Sequence, residues 1–219
     1  MNATPADYDA WYATPRGRWI SDIEFHSLWR LLSPRPGDSM LDAGCGTGHF
    51  TRRFQSAGLR VTGLDKSWPH IAFAQSSVGG AFAQGSAEAL PFSDKSFDYC
   101  VAVTSLCFVA NPAGAVKEMA RVARKGLALG LLNTNSLLYL SKSGTGGYAG
   151  ARWDTAQEAR QWIENAIPCA RAITSHSVFI PSGGMFSRVV ELVTPSSIPL
   201  GGFIAIGSVF DHLEGVWGK

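Results

Sequence analysis

Apolar positions along the chain fall into two alternating periods. Across residues 17–32 they recur at helical spacing, with Ile20, Ile23, Leu28 and Leu31 on one stripe. The segment before it is aromatic and polar, running through Tyr8, Trp11 and Tyr12 to Thr14-Pro15. Ser33-Pro34-Arg35-Pro36-Gly37-Asp38 then breaks the chain. Short buried-strand runs follow at Met40-Leu41, 60–65, 81–85, 97–106 and 127–132, with helical patterns between them. One helix starts at Gly48, carries Phe50 and Phe54 one turn apart, and stops at Gly58. Another covers 68–77. A third has Asn111 as N-cap, Pro112 in its first position, and Val116, Met119, Ala120 and Ala123 as its buried stripe. Arg121, Arg124 and Lys125 suit its carboxyl end, with Gly126 as the stop.

The pattern changes after the fifth run. Asp154 is placed to cap a helix carrying Ala159, Trp162, Ile163 and Ala166, ended by Pro168. Strands are expected over 173–180 and 202–210, with 189–193 a candidate third. Helices drop out here, so these last strands pair antiparallel. The earlier alternation requires parallel pairing through right-handed crossovers. The fold class is therefore α/β, a doubly wound and mostly parallel sheet with antiparallel C-terminal strands and helices on both faces. A ligand belongs outside the carboxyl ends of the strands, at the topological switch point.

Composition agrees with a single domain across the 219 residues. The chain is 46% hydrophobic and 16% charged, against ~25% charged in an average soluble domain. A net charge of +2 and scattered basic residues give no footprint for nucleic acid or an anionic membrane. The opening MNATPADYDAWY lacks the basic start and apolar core of a signal peptide. The most apolar stretch, 198–210, is too short to span a bilayer. A cytoplasmic protein is the expectation. Cys45, Cys100, Cys107 and Cys169 are widely spaced, with no CxxC pair, and Cys100 and Cys107 sit in an apolar run as expected of buried free thiols.

The chemistry concentrates in SMLDAGCGTGHF, residues 39–50. Gly44, Gly46 and Gly48 alternate just where a strand gives way to a helix. Absent Cβ atoms let a ligand lie against the main chain, while the helix start aims free N–H groups and a positive dipole end at it. The nicotinamide fingerprint G-x-G-x-x-G/A would need Gly or Ala at 49, where His49 stands. No Gly-Lys-Ser/Thr follows, so this is no P-loop. The loop suits an amino-acid and nucleoside portion. Asp65 closes the second strand in VTGLD. It can accept both hydroxyls of a ribose, or cap the helix that follows. Gly85-Ser86-Ala87-Glu88-Ala89-Leu90-Pro91-Phe92 forms a loop on the same sheet edge, able to read an adenine edge with Leu90 flanking the ring.

Together LDAGCGTG, VTGLDKS and GSAEALPFSDKSFDYCVAV resemble the class I S-adenosylmethionine-dependent methyltransferases, nearest the ubiquinone- and menaquinone-biosynthesis branch of small-molecule enzymes. The resemblance covers residues 38–133. Tyr8-Asp9-Ala10-Trp11-Tyr12 and Thr14-Pro15-Arg16-Gly17 also look like a subgroup's N-terminal lid. It implies a Rossmann-like fold with a lid over 1–37, a cofactor-binding core over 38–133 and an acceptor side over 134–219. It implies S-adenosyl-L-methionine as cofactor and a small-molecule acceptor as partner. Carried over, Asp42, Ala43, Gly44, Cys45, Gly46 and Gly48 would hold the methionine portion, Asp65 the ribose, and Lys66 would lie beside the adenine. Ser86, Ala87 and Glu88 would surround the adenine edge, although the family often has Asp where Ser86 stands. Thr104 and Ser105 would lie near the methionine amine and the transferring methyl, and Tyr12 would close over the cofactor.

Such a transfer is an in-line displacement from a sulfonium. It needs alignment and exclusion of water more than a protein nucleophile. A general base is required only when the acceptor carries a proton. No catalytic residue is assigned among His26, His49, His70, His176 and His212, each of which suits a packed or solvated role. His49 follows the glycine loop and is expected on a helix exterior. Trp11, Tyr12, Trp19 and Trp29 form either an acceptor pocket or helix packing. Residues 141–148 suggest a loop or lid. Two further readings stay open: an NAD(P)-binding oxidoreductase on the same architecture, and a non-catalytic binding module.

Overall fold

The computed structural model describes residues 4–78, 80–168 and 170–210. Seven strands form one sheet: β1 (Ser39–Ala43), β2 (Arg60–Asp65), β3 (Ala81–Gln84), β4 (Phe97–Val103), β5 (Ala123–Leu132), β6 (Ile173–Ser177) and β7 (Phe203–Val209). Their order is β3-β2-β1-β4-β5-β7-β6. The first five pair in parallel, and β7 runs antiparallel to both β5 and β6. Strand order reverses between β1 and β4, so the loops leaving those two strands flank the crevice.

Alternation within the strands builds two cores. In β4, Phe97, Cys100 and Ala102 face one layer while Tyr99, Val101 and Val103 face the other. The first layer receives α5 (Pro112–Val122) and α7 (Ala156–Ala166) through Val116, Met119, Ala159 and Ile163. The second receives α2 (Pro15–Leu32) and α3 (His49–Ser56) through Ile20, Leu28, Leu32, Phe50 and Phe54. Fully burying a side chain of this size is worth about 1.5–3 kcal/mol. Helix α4 (Trp68–Val78) completes the β2–β3 crossover. Cys100 and Cys107 are buried free thiols, as expected, and so is Cys45, whereas Cys169 and His212 lie outside the described residues.

Several boundaries differ from the sequence pattern, each for a local reason. The aromatic N-terminal stretch is a helix, α1 (Pro5–Tyr12), with Pro5 in its first turn and a Thr4–Asp7 capping box. Thr155, not Asp154, caps α7, again in a capping box with Glu158. Asp154 instead accepts from Arg152 Nε at 2.6 Å. Helix α5 ends at Val122 and the chain enters β5 at once. Arg124 and Lys125 are therefore strand residues, bonded to Asp98 and Asp38, rather than a helix end. Residues 141–148 are not one loop: Ser141 and Lys142 end α6 (Leu137–Lys142), and Gly146–Tyr148 make a 3-10 turn.

The 189–193 segment is helical, part of α8 (Met185–Val193), and not a strand. Ser187 and Glu191 stand one turn apart on it. Ser187 is buried against Ser182, and Glu191 accepts from the backbone N–H groups of Val178 and Phe179, both at 3.0 Å. Those tertiary bonds outweigh the strand preference of Val189, Val190 and Val193.

Candidate functional site

A cleft of about 530 Å³ opens at the carboxyl ends of β1, β2 and β4. That volume suits a small-molecule ligand. Of the residues singled out in sequence, Tyr12, Asp42, Gly44, Cys45, Gly46, Asp65, Lys66, Ser86, Ala87, Glu88, Thr104 and Ser105 all line it. Ala43 and Gly48 do not: Ala43 is buried beneath, and Gly48 is the N-cap of α3. The structure adds Tyr8, Thr47, His49, His70 and Phe108 to the lining.

The glycine loop bends because three left-handed residues sit in it. Gly44, Gly46 and Gly48 have φ of 80°, 54° and 79°. At Gly44 a Cβ would stand 2.4 Å from the Ser105 Cβ, so the β1 and β4 loops touch through a missing side chain. Gly44 and Cys45 both donate to the Leu64 carbonyl, at 2.6 and 2.9 Å, which folds the loop back over β2. Gly46 differs: nothing lies within 4 Å of its would-be Cβ, so the bare backbone faces open cleft.

Asp65 joins this loop to the next strand end. Its Oδ2 accepts from Gly46 N at 2.9 Å and its Oδ1 from Ser67 N at 2.8 Å. The carboxylate thus closes the turn after β2, one residue short of α4, and still lines the cleft. Asp42 lies deeper, 1% exposed, accepting from the Thr51 hydroxyl at 2.7 Å. Burial raises its carboxyl to about 7, the Thr51 hydrogen bond opposes that rise, and nearby Asp65 adds to it.

At the far edge, Ser86 Oγ accepts from Glu88 N at 3.2 Å, and Glu88 Oε1 accepts from Asn111 N at 2.8 Å. Lys66 Nζ reaches the Phe108 carbonyl at 3.5 Å. Thr104 holds φ of 47°, a left-handed conformation uncommon for a β-branched residue, with its N–H on the Gly130 carbonyl at 2.8 Å. Ser105 Oγ donates to the Ala43 carbonyl at 2.8 Å, locking β4 to β1.

The roof is α1. Asp9 accepts from the Thr47 hydroxyl at 3.0 Å and pairs with Arg52, tying α1 to the glycine loop and α3. Tyr12 is buried and stacks on His49, ring centroids 3.6 Å apart. His49 therefore does not face a helix exterior. Its Nε2 lies 2.6 Å from Ser21 Oγ, which also accepts from Arg53. Burial, with Arg52 and Arg53 adding to it, lowers His49 to about 4. No sequence signal marked His49 beyond its place after the loop. Tyr8 Oη lies 3.2 Å from Tyr12 Oη. Burial raises the Tyr12 phenol above its ordinary value; Tyr8, 44% exposed overall, shifts the same way through desolvation of its hydroxyl, with the Tyr12 and Thr104 hydroxyls opposing the rise.

A methyltransferase-domain family profile matches residues 41–129, the span from β1 into β5. The chain is 33% identical over 154 residues to malonyl-[acyl-carrier protein] O-methyltransferase of Pectobacterium atrosepticum, covering 68% of this chain and 58% of that protein. An uncharacterized protein of Mycobacterium tuberculosis is 32% identical over 217 residues, covering 93% of this chain and 71% of its own length. Among solved structures, a Thermotoga maritima SAM-dependent methyltransferase, described as a possible histamine N-methyltransferase, superposes with a TM-score of 0.72. The match covers 93% of this chain and 95% of that one at 24% identity, and so speaks to fold. The chain's alternating sheet, its glycine loop and these relatives agree: it belongs to the class I S-adenosylmethionine-dependent methyltransferases.

Proposed function

We propose that the chain binds S-adenosyl-L-methionine in the cleft and directs its methyl group onto a small-molecule acceptor. The observation that carries this reading is the Gly46–Asp65 pair: a bare, left-handed backbone facing open space, bonded to a carboxylate on the neighbouring strand. The residues fit that cofactor. A Cβ at Gly46 would fill the space its methionine portion needs. Asp42, buried with no cationic partner among the described residues, is complementary to the amino group of an amino acid. Asp65 offers its remaining lone pairs to ribose hydroxyls. The adenine end falls to Ala87 and the backbone, with Lys66 beside it, because Ser86 and Glu88 are engaged with each other and with Asn111, and Leu90, expected to flank the ring, is buried in the core instead.

When bound, this cofactor supplies a methyl already activated by a positive sulfur. The chain's own task is to fix the acceptor in line with that methyl and keep water out, an orientation worth up to roughly 7–11 kcal/mol in favourable cases. Residues 1–37 supply the roof, 38–133 the cofactor-binding core and 134–219 the acceptor side. Tyr12, Thr104 and Ser105 would stand nearest the transferred group. The test is calorimetric titration with S-adenosylhomocysteine and, in parallel, with NAD, followed by crystals grown with the tighter ligand. Binding of S-adenosylhomocysteine against the glycine loop supports the reading; preference for NAD, or no binding of either, removes it.

A further inference from the structure

Helix α8 is amphipathic in the reverse sense for a helix that packs on a core. Its polar side is turned inward. Ser187 is buried against Ser182, and Glu191 accepts from the Val178 and Phe179 N–H groups, both at 3.0 Å. Its apolar side is turned out: Met185, Phe186, Val189, Leu192 and Val193 are each between 52% and 86% exposed. A surface helix ordinarily buries such a stripe. Here the inward hydrogen bonds hold the helix in the orientation that bares it. The five residues expose on the order of 700 Å², above the roughly 300–600 Å² of the largest apolar patch on an ordinary monomer and near the roughly 800 Å² each partner gives a standard interface. Arg188, the one cation of α8, lies on the polar flank with its guanidinium 5.9 Å over the Trp19 ring.

The spacing of the stripe says what covers it. Val189 is the central residue of α8, and the other four stand three and four positions to either side of it, so the pattern reads the same from both ends. A half-turn about an axis through Val189 sets Met185 and Phe186 opposite the positions of Val193 and Leu192, and returns Val189 to itself. Residue i then meets residue j while j meets i, the condition for a twofold interface. The longest side chains, Met185 and Phe186, fall opposite Leu192 and Val193, and a small one lies on the axis, where two packed helices approach to ~8–10 Å. We propose that α8 is the twofold interface of a homodimer, packing antiparallel against α8 of a second copy of this chain with Val189 on the axis. Homodimer interfaces are the apolar, charge-poor class. A lipid surface fits less well, because helices lying on membranes carry several Lys or Arg on a solvated polar face, whereas α8 has Arg188 alone and its Ser187 and Glu191 are bonded to the protein. Among the described residues none on α8 lines the cofactor cleft, so dimerisation here stands whether or not the methyltransferase reading does.

The test is sedimentation equilibrium of the full chain from about 1 to about 100 μM, where a dimer dissociating in the low-micromolar range is expected. Val189→Asp sets two carboxylates face to face on the axis and should raise the dimer dissociation constant at least about a hundred-fold. Val189→Lys should do the same. Position 189 faces solvent in the monomer, so both variants should fold, which circular dichroism and thermal melting check. Mixed in equal amounts they are expected to associate again, because the axis then pairs a carboxylate with an ammonium. Leu192→Asp, at the most exposed residue of the stripe, is the independent variant and should also give monomer. A chain that stays monomeric across the concentration range overturns the proposal, and its flotation with phosphatidylglycerol vesicles would make the stripe a lipid contact instead. A dimer that persists in both Val189→Asp and Leu192→Asp, or folded Val189→Asp and Val189→Lys chains that fail to associate when mixed, overturns it equally.

Discussion

The imidazole of His49 lies flat on the ring of Tyr12, centroids 3.6 Å apart and planes within 8°. One residue opens the helix after the glycine loop and the other closes the roof helix, so this stack fastens roof to floor. Removing the ring, as in His49→Ala, is expected to lower stability by about 1 kcal/mol and to weaken S-adenosylhomocysteine binding. It should also change the acid limb. His49 is held near 4 in the folded chain against an ordinary 6.5, so unfolding takes up a proton between those values and stability falls as pH drops through them. His49→Ala should flatten that fall, measured by thermal unfolding from pH 7 to pH 4.

Asp65→Ala is expected to lower S-adenosylhomocysteine affinity by roughly ten- to a hundred-fold, the range for losing hydrogen bonds to a charged group. The fold should survive, since β2 remains buried. Asp65→Asn should fall between, because its amide can accept from only one of the Gly46 and Ser67 N–H groups. Unchanged calorimetric affinity in both variants would remove Asp65 from the ligand site.

The glycines of the loop should separate by position. Gly44→Ala drives a Cβ to 2.4 Å from Ser105 and should cost more than about 2 kcal/mol in denaturant unfolding. Gly46→Ala meets no atom within 4 Å, so its stability loss should be only the roughly 1 kcal/mol of a left-handed alanine. Its ligand affinity should nevertheless collapse, because the new methyl occupies the cleft. Equal ligand affinity in wild type and Gly46→Ala would contradict the cleft assignment.

At the opposite end of the sheet, Asp98 accepts from Ser39 N and Oγ, both at 2.8 Å, and pairs with Arg124 and Lys125. Burial opposes its ionisation, but the Ser39 and Lys125 bonds outweigh it and hold the carboxyl far below the usual range. Its stabilisation is therefore present above pH ~4 and lost as pH falls below that. Asp98→Asn is expected to cost about 2 kcal/mol at pH 7 and much less at pH 2.5, by chemical denaturation.

Glu24 carries the opposite sign. Its folded value of about 8 lies above the ordinary 4.5, so the folded chain keeps a proton that the unfolded chain releases, and stability declines as pH rises between them. Glu24→Gln should match wild type at pH 4 and exceed it at pH 9 by a few kcal/mol, on the order expected for such a shift. A variant equally stable at both pH values would mean the carboxylate is hydrated rather than enclosed.

Much of this was legible because short-range signals were strong. The strand–helix alternation, the Asn111-Pro112 helix start and the glycine spacing each express a backbone requirement that a local sequence carries whole. The Thr4–Asp7 and Thr155–Glu158 capping boxes are equally local, yet the pattern suggested no helix at the first and Asp154 as the cap at the second; the boxes are what place α1 and the start of α7. Segment 189–193 was not readable in this way. Its valines favour a strand, and only the distant Val178 and Phe179 N–H groups, satisfied by Glu191, make it a helix.

The sequence by itself determined the layered sheet, the crook at Gly44–Gly48 and the carboxylate at Asp65, because φ, hydrophobic period and helix caps are properties of neighbouring residues. Tertiary structure alone decided that Asp65 bonds the glycine loop, that His49 turns inward onto Tyr12, and that Glu24 is enclosed on the buried face of α2. Those relationships join residues up to 37 positions apart, Tyr12 to His49, and their energies come from desolvation and geometry that exist only once the sheet brings the elements together.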